Sequence, residues 1–568
     1  MLSASEVRRT NEKPLQMANR NFTTELNRAA RNGQSKELKR ILKHGANIDA
    51  PDGNGMTPLM LASKFRHHNI AKFLVQSGAN VNAADRQGMT SLMHAAQFGK
   101  NNTLDLLMDN QADINGKDNL GNTALMHAAE TRHILRLKQL VQRGAQVDSV
   151  DLAGKSALMH ASQSGIRQAV KYLIDQHADL HAQDENGMTA LMHACASGYG
   201  SRIKLLVKSG ARINFKDYNG RNALMHAAIK GHSSSFNILI NLNATIHDDD
   251  MYGNTALMFA SEYGHFRIVE KILRSKAIVD INQRNQEGRT ALMPALKYGH
   301  IKVVNILLKY NADIHLEDNK GCTALMFAAE NGKKENVLKL LKKEADVNKQ
   351  NVNNKDALMY ASENGNHYAV EALIKHKALV HRQDVNGLTS LHFASKEGHH
   401  KVVKLLLKHK ANKDAISASG ATALMYACRK GHLKTVNLLI SKGVDTNAVD
   451  AAGKTALMHA VRNDHRCIVE KLINNGADVN VVSRKRKTAL AYAMSKKHDK
   501  IEELLRSFNA EDYTRCNREL PSCSTLCMTD DKGTQTDSES ERETSITMSH
   551  GNSPVNVILK NAGVVYVN

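Results

Sequence analysis

The sequence predicts an all-α solenoid of helix-turn-helix units that are joined by β-hairpin-like loops, followed by a disordered C-terminal tail. The first observation is a seven-residue string, TALMHAA at Thr123–Ala129, whose variants recur along most of the chain. The first residue of each copy, here called the lead residue, recurs every 33 residues with one interval of 35. A fixed period of this length is typical of repeat proteins, in which each unit packs on its neighbours. The lead residues of units 1 to 15 are Thr24, Thr57, Thr90, Thr123, Ser156, Thr189, Asn222, Thr255, Thr290, Thr323, Asp356, Thr389, Thr422, Thr455 and Thr488.

The unit around Thr389 shows why each copy is expected to form two helices. Gly387 suits the preceding turn, and the Thr389 hydroxyl suits a helix N-cap. Gly398 ends this first helix, and a second helix is predicted from His400 to about His409. The second helix is amphipathic, with apolar side chains on one face and lysines on the other. The apolar face holds Val402, Val403, Leu406 and Leu407, and the polar face holds Lys401, Lys404 and Lys408.

The repeated string resembles the ankyrin repeat, whose pattern is D-x-x-G-x-T-P-L-H-x-A-A-x-x-G-H-x-x-V-V-x-x-L-L-x-x-G-A-x-x-N. The resemblance covers about nine-tenths of the chain. Alanine replaces the family proline in most copies, whereas Pro58 keeps it, and methionine replaces the family histidine in most copies, whereas His392 keeps it. That histidine ties neighbouring loops in the family, so its replacement implies looser polar ties and more adaptable packing. The resemblance implies a curved stack that binds other proteins.

The repeat pattern divides the chain into four segments. Residues 1–21 are expected to be disordered, and residues 22–280 hold repeats 1–8 with an N-terminal cap. Residues 281–510 hold repeats 9–15 with a C-terminal cap, and residues 511–568 form an acidic, mostly disordered tail.

One join between units is irregular. Two additional residues lie between Lys276 and Gly288, and Pro294 falls in the first helix of the next unit. Proline removes a hydrogen bond there and crowds the preceding turn, so we expect a kink or hinge in the region 276–294. The alternative is a bulged loop that the stack absorbs without bending.

Composition limits the classes of function. The net charge is +21, and the tail from Glu511 has five basic and nine acidic residues, so the rest of the chain is strongly basic. The lysines are interpreted either as solvated outer faces or as a surface for an acidic protein, an anionic membrane or nucleic acid. Aromatic residues that would stack on bases do not alternate with the basic ones. No apolar run approaches the roughly 18 residues of a membrane helix. The first 20 residues lack the apolar core of a signal peptide.

The cysteines and the basic turn bear on location. Four of the seven cysteines lie in different repeats, so no disulfide framework is implied and a reducing cytoplasm or nucleus is expected. Arg484, Lys485, Arg486 and Lys487 resemble a nuclear localisation signal, with an exposed basic turn as the alternative. Arg486 replaces the usual glycine, so this turn is expected to be atypical. The predicted location is cytoplasmic, with the nucleus as a second site.

A column of rings occupies the fifth position of the string. Because histidine exchanges there with aromatic residues, we interpret the column as flat packing rings, and a pH-sensitive packing change is the alternative. Zinc binding is disfavoured, since adjacent units lie roughly 10 Å apart whereas zinc bonds are about 2 Å long. The carboxylates that recur before the string, such as Asp118 and Asp217, are interpreted as turn braces. The column comprises His94, His127, His160, His193, His226, Phe259, Phe327, Tyr360, Phe393, Tyr426, His459 and Tyr492.

One short motif in the tail has a specific mechanism. Lys532, Thr534, Gln535 and Thr536 resemble the K-x-T-Q-T ligand of dynein light chain. Such an extended peptide adds a strand to a sheet edge, and alternate side chains enter pockets. The alternative is a plain acidic linker.

The sequence favours a non-catalytic scaffold or adaptor that has no cofactor or metal. It lacks a phosphate loop, a nucleophile elbow and a metalloprotease motif. We expect the loop tips and inner helices to bind protein partners, because these positions vary between units. The alternative is a basic solenoid that binds RNA or an anionic membrane, which a steep salt dependence would reveal. The candidate partner-binding residues are Arg86, Gln87, Asn119, Leu120, Glu185, Asn186, Tyr218, Asn219, Val385 and Asn386.

Overall fold

The computed structural model describes residues 22–275 and 279–511 and the backbone of two short strands near the C-terminus. Strands β1 (Val557–Lys560) and β2 (Gly563–Tyr566) pair antiparallel, with Val557 opposite Tyr566. Contacts divide the chain into two units, residues 1–514 and residues 515–568. None of the helices in the described part has the length and apolarity needed to cross a membrane.

The described repeats form thirty helices, two in each of fifteen units. The inner helices are α1 (22–32), α3 (Pro58–Lys64), α5 (Ser91–Phe98), α7 (Ala124–Ala129), α9 (Ala157–Ser164), α11 (Ala190–Ala196), α13 (Ala223–Lys230), α15 (Ala256–Glu262), α17 (Leu292–Lys297), α19 (Ala324–Asn331), α21 (Ala357–Glu363), α23 (Ser390–Lys396), α25 (Ala423–Lys430), α27 (Ala456–Arg462) and α29 (Ala489–Lys496). The outer helices are α2 (Ser35–Lys43), α4 (His68–Gln76), α6 (Asn101–Asp109), α8 (Ile134–Gln142), α10 (Arg167–Asp175), α12 (Gly200–Lys208), α14 (Ser233–Asn241), α16 (Phe266–Arg274), α18 (Ile301–Lys309), α20 (Lys334–Lys342), α22 (His367–Lys375), α24 (His400–Lys408), α26 (Leu433–Ser441), α28 (Arg466–Ile473) and α30 (Asp499–Ser507).

Most lead residues cap the inner helices as predicted, whereas the hydroxyls of Ser156, Thr290 and Thr323 have no hydrogen-bond partner. The N–H of Met126 donates to the Thr123 hydroxyl at 3.4 Å, and the N–H of Thr123 meets the Met126 sulfur at 3.4 Å. In the unit of His392, ring Nδ1 accepts from the N–H of Thr389 at 3.1 Å, so methionine sulfur takes over this acceptor role. His392 Nε2 also bonds the Ala421 carbonyl of the next unit at 3.2 Å. Methionine has no N–H donor and cannot make that tie.

A second set of histidines ties the units together at another position. These residues directly precede the outer helices, and their Nε2 atoms bond carbonyls of the preceding unit. His232 bonds the Ala196 carbonyl at 3.0 Å, and His432 bonds the Lys396 carbonyl at 2.9 Å. The glycine before the outer helix of the preceding unit makes room for such a ring: a Cβ added at Gly198, whose φ is +84°, would lie 2.7 Å from the His232 ring. Polar ties between units therefore persist where the family histidine is missing.

The core is one continuous layer between successive helix pairs. Buried leucine, alanine and methionine side chains extend from Leu26 in α1 to Leu505 in α30. Inner helices contact the inner helix of the next unit as well as their own outer helix. Small side chains at this contact, such as Ala128 and Ala129, are fully covered, which lets the helices approach closely. Each unit is thus stabilised by its neighbours, as in other repeat arrays.

The irregular unit contains Pro294 in its inner helix, as predicted. Proline has no N–H to donate to the Thr290 carbonyl, whereas His127 makes this bond to the Thr123 carbonyl at 3.2 Å. Helix α17 starts two residues after its lead residue, and the buried Thr290 hydroxyl has no hydrogen-bond partner. Across the join, the N–H of Gln286 still donates to the Tyr252 carbonyl at 2.9 Å. Residues 276–278 lie outside the described part, and a hinge at this join stays a prediction.

The basic turn before the last unit is regular, and the expectation of an atypical turn was wrong. Arg486 takes a φ of +55°, the left-handed conformation that glycine takes in most other units. Its N–H donates to the Ser483 carbonyl at 2.9 Å, as the N–H of Gly453 does to Asp450 at 2.8 Å. Hydrogen bonds of the turn therefore hold an arginine in a conformation that L-residues disfavour.

Candidate protein-binding groove

Aspartates fix the hairpins that precede the inner helices. One carboxylate oxygen of Asp217, Oδ1, accepts the N–H groups of Asn219 at 2.9 Å and Arg221 at 2.8 Å. The same arrangement recurs at Asp118 and Asp184. This is the turn-bracing role that the sequence predicted for these carboxylates.

Backbone hydrogen bonds connect the tips of successive hairpins into a ladder. The N–H of Leu152 donates to the Leu120 carbonyl at 2.9 Å, and the N–H of Met251 donates to the Asn219 carbonyl at 2.8 Å. Equivalent bonds run from Arg86 to Arg484 through every described tip. The tips are therefore fixed relative to their immediate neighbours.

The ring column is bonded to the hairpins, which sequence reasoning missed. His226 Nε2 lies 2.9 Å from Asp217 Oδ2, the carboxylate oxygen that the turn does not use. The six histidines of the column make this bond at 2.8–3.0 Å. Most of the rings are buried, which confirms their packing role. Each histidine additionally anchors its hairpin to its inner helix.

In units where the ring is not histidine, the residue that contacts the ring is also different. Where the ring is tyrosine, the turn residue is neutral: Asn351 Nδ2 donates to the Tyr360 hydroxyl at 3.0 Å, and Ser417 and Ser483 accompany the other tyrosines. Where the ring is phenylalanine, aspartate remains and a cation of the preceding unit faces it. Arg221 Nε lies 3.4 Å from Asp250 Oδ2 and its guanidinium lies 5.0 Å from the Phe259 ring. The correlated identities nine residues apart are the signal that could have revealed this pairing.

Local burial sets the charge of the column. Burial lowers the pKa of His94 and His193, although each is bonded to an aspartate. Burial also opposes charge on His160, but its bonds to Glu130 and Asp151 raise its pKa. These two carboxylates lie 2.9 Å from its two ring nitrogens. The column therefore holds histidines of opposite titration behaviour.

A groove lies between each hairpin and its inner helix. One wall is formed by the residue that directly precedes the lead residue in each unit, and these residues are here called the hairpin column. The other wall is formed by the seventh residue after the lead residue in each unit, and these residues are here called the helix column. Lys355 Nζ pairs across this space with Glu363 at 2.7 Å, and Lys155 Nζ donates to Gln163 at 3.2 Å. The ring column forms its floor. We call this space the hairpin–helix groove.

Two cavities lie along this groove. One, of about 460 Å³, is lined by Leu120, Glu130, Leu152 and Lys155 among others. The other, of about 450 Å³, lies at the irregular unit, where Pro294 stands in the ring column. Its lining includes Tyr252, Glu262, Arg289, Tyr298 and Phe327. Burial raises the pKa of Glu262 within it. Apolar, aromatic and charged groups thus converge on the groove at both places.

The predicted tip residues lie along the ladder. Arg86, Gln87, Asn119, Leu120, Glu185, Asn186, Tyr218, Val385 and Asn386 are exposed, and Asn219 is half-buried. The prediction omitted exposed apolar tip residues, which the repeat spacing alone could have placed: Leu152, Met251, Tyr252 and Val352.

The remaining predicted sites have two outcomes. Arg484, Lys485 and Arg486 are exposed at the last tip. Lys487 is half-buried, with its ammonium 5.7 Å from the Tyr492 ring. The motif that resembles a dynein light chain ligand, Lys532 to Thr536, lies outside the described residues.

Comparisons with known proteins agree with this architecture. Over 51 residues the chain is 45% identical to the ARF GTPase-activating protein Git of Drosophila melanogaster, which is 9% of this chain and 7% of that protein. The family model described as ankyrin repeats (three copies) matches residues 26–118, 92–184, 125–217, 158–250, 201–284, 243–318, 310–384, 358–450 and 442–516. Because these matches overlap without a gap from residue 26 to residue 516, the chain belongs to the ankyrin-repeat family.

Proposed function

We propose that this protein is a non-catalytic scaffold that binds extended segments of partner proteins along the hairpin–helix groove. The observation that carries the proposal is a group of exposed apolar side chains at the tips of units 4, 5, 7 and 8, with Glu185 and Asn186 at the tip of unit 6 between them. The exposed fractions are 68% for Leu120, 67% for Leu152, 65% for Tyr218 and 52% for Met251. Contiguous exposed apolar residues mark interaction surfaces more often than isolated ones do.

The ladder and the groove suit a protein ligand in two further ways. Because the tips are already hydrogen-bonded to one another, their ordering costs little on binding. The cavity beside Leu120 and Leu152 offers an apolar wall with Glu130 and Lys155 as polar groups. Such a combination favours an apolar or aromatic anchor with polar neighbours, the usual composition of a binding hot spot.

Replacing the apolar tips should abolish partner capture without affecting folding. We expect the variant Leu120→Ser, Leu152→Ser, Tyr218→Ser to retain the circular dichroism of the wild type. The amounts of its principal captured partners, measured by quantitative mass spectrometry, should fall at least tenfold. A matched control is Leu135→Ser, Leu379→Ser, Tyr368→Ser, which removes the same residue types from exposed positions away from the tips. Equal capture by both variants would contradict a role for the tips.

The tail is proposed to recruit dynein light chain through Thr534, Gln535 and Thr536. The support is the resemblance in sequence and the mechanism of strand addition. Alanine at these three positions should weaken binding of purified light chain to the full chain at least tenfold, measured by isothermal calorimetry. Alanine at Ser538, Ser540 and Thr544 is the control and should leave binding unchanged. Undiminished binding by the first variant would remove this part of the proposal.

A further inference from the structure

Positive charge is concentrated in the last repeats. Residues 401–500 contain twenty lysines and arginines but seven aspartates and glutamates. The inner helices of units 12 to 15 are α23, α25, α27 and α29, which contact one another in succession.

The helix column is a run of cations in units 12 to 14. In units 4, 8, 10 and 11 this wall of the groove holds Glu130, Glu262, Glu330 and Glu363, whereas units 2 and 9 have Lys64 and Lys297. In units 12 to 14 it holds Lys396, Arg429 and Arg462 instead. The groove of unit 11 is closed by the pair of Lys355 with Glu363, whereas the helix columns of the next three units supply a cation in place of that glutamate. The groove therefore passes from balanced charge to net positive charge.

The hairpin side reinforces this change. Lys454 and Lys487 stand in the hairpin column of units 14 and 15. In units 13 and 15 the turn aspartate is replaced by Ser417 and Ser483, which removes a carboxylate from each. The carboxylate that remains in unit 14, Asp450, is bonded to His459 at 2.9 Å. Unit 14 therefore has a cation on both walls of the groove, Lys454 and Arg462.

The shape of this part of the groove favours a chain over a nucleic acid or a membrane. The tips of units 13 and 14 are small, at Ala418 and Ala451. In units 12 to 15 the exposed large apolar side chains are Val385, Ile416, Leu433, Val449 and Phe508, and the one aromatic residue among them, Phe508, follows the outer helix α30. Single-stranded nucleic acid is normally held by exposed aromatic rings that stack on bases. An acidic peptide needs no such ring.

The repeat spacing specifies the conformation of that peptide. Packed helices lie about 8–10 Å apart, so the helix column presents a cation at about this interval. A polyproline II helix has three residues per turn and rises about 3.1 Å per residue, so every third side chain points the same way about 9 Å further on. We propose that the groove of units 12 to 15 binds a polyproline II segment of a partner protein with an acidic residue at every third position. This inference rests on the proposed scaffold function and names the partner chemistry of one part of the groove.

The test uses the full chain and a labelled peptide of four Glu-Pro-Pro triplets, with fluorescence anisotropy as the readout. We expect saturable binding that the variant Lys396→Glu, Arg429→Glu, Lys454→Glu weakens at least tenfold. The matched control, Lys404→Glu, Lys408→Glu, Lys471→Glu, makes the same change in net charge on the exposed face of α24 and α28 and should weaken binding less than threefold. An isomeric peptide with its four glutamates adjacent should bind several-fold more weakly than the triplet peptide.

Three results would overturn the proposal. Equal weakening by both charge variants would show long-range attraction without a groove site. Equal binding of the two peptides would remove the spacing argument. Loss of binding to polyuridylate or to phosphatidylserine vesicles in the groove variant, with peptide binding unchanged, would assign the basic groove to another class of ligand. None of these results concerns the apolar tips of units 4 to 8. The replacement of those tips therefore tests the scaffold function independently of this proposal.

Discussion

The change His226→Phe is expected to destabilise units 6 and 7 by about 2–3 kcal/mol, because it strands a buried carboxylate oxygen. Asp217 Oδ2 is bonded to His226 at 2.9 Å, and only 6% of Asp217 is exposed. In the phenylalanine units an arginine such as Arg221 faces the aspartate, but the equivalent residue here is Met188. Burial raises the pKa of Asp217 and the bond to His226 helps to hold it below its ordinary value, so the pKa should rise in the variant.

Amide hydrogen exchange of α11 and α13 should report this loss, since a long repeat array does not unfold as a single two-state unit. The double variant Asp217→Asn, His226→Tyr copies the natural pair of Asn351 and Tyr360 and should recover most of the lost protection. Unchanged protection in the single variant His226→Phe would show that the ring is held by packing alone.

The change Asp356→Thr is expected to stabilise the repeats by about 2–3 kcal/mol at pH 7. Asp356 is the lead residue of unit 11 and accepts the N–H of Met359 at 2.9 Å, yet only 1% of it is exposed. Burial raises its pKa to about 6 from the ordinary 3.8. Threonine caps the same helix position in most other units without a charge. Amide hydrogen exchange of α21 in the two proteins measures the unfolding free energy of this unit.

The same variant has a defined pH dependence. Because the folded-state pKa of Asp356 lies above its unfolded value, the penalty is complete above about pH 6 and fades as the pH falls toward 3.8. The difference in unfolding free energy between variant and wild type should therefore shrink toward zero between pH 6 and pH 4. His94 and His193 have lowered pKa values, so their protonation at falling pH destabilises the fold. Both proteins contain these histidines, so their contribution cancels in the difference. A difference that stays constant with pH would mean that the pKa of Asp356 is the same in the folded and unfolded states.

Much of the architecture follows from local chemistry that is visible in the sequence. The period places every unit, Thr123 and its equivalents define helix starts, and the faces of α24 follow from its lysines and leucines. The position of Pro294 inside an inner helix also follows from the spacing alone. These features depend on residues within one unit and close in sequence, where propensity and pattern are informative.

The contacts of the ring column with the hairpins, and the contacts between units, could not be predicted from the pattern within one unit. His226 and Asp217 are nine residues apart, a distance that matches neither a helical nor a strand period, so only the joint change of both identities between units connects them. Arg221 reaches Asp250 of the next unit, 29 positions later, and this contact exists only once the units stack. The charge reversal of the helix column is written in the sequence, but its meaning depends on the groove that Lys355 and Glu363 reveal.

The tip ladder and the histidines before the outer helices share one direction, whereas the tie of His392 to Ala421 runs the other way. In the tip ladder the N–H belongs to the later unit and the carbonyl to the earlier one, as for Tyr218 and Asn186, and the histidine ties such as His232 to Ala196 run the same way. A ribosome releases the acceptor of each ladder bond before its donor. Every newly made repeat therefore emerges with unmet carbonyls and is completed only by its successor, so folding of the nascent chain should lag synthesis by about one repeat.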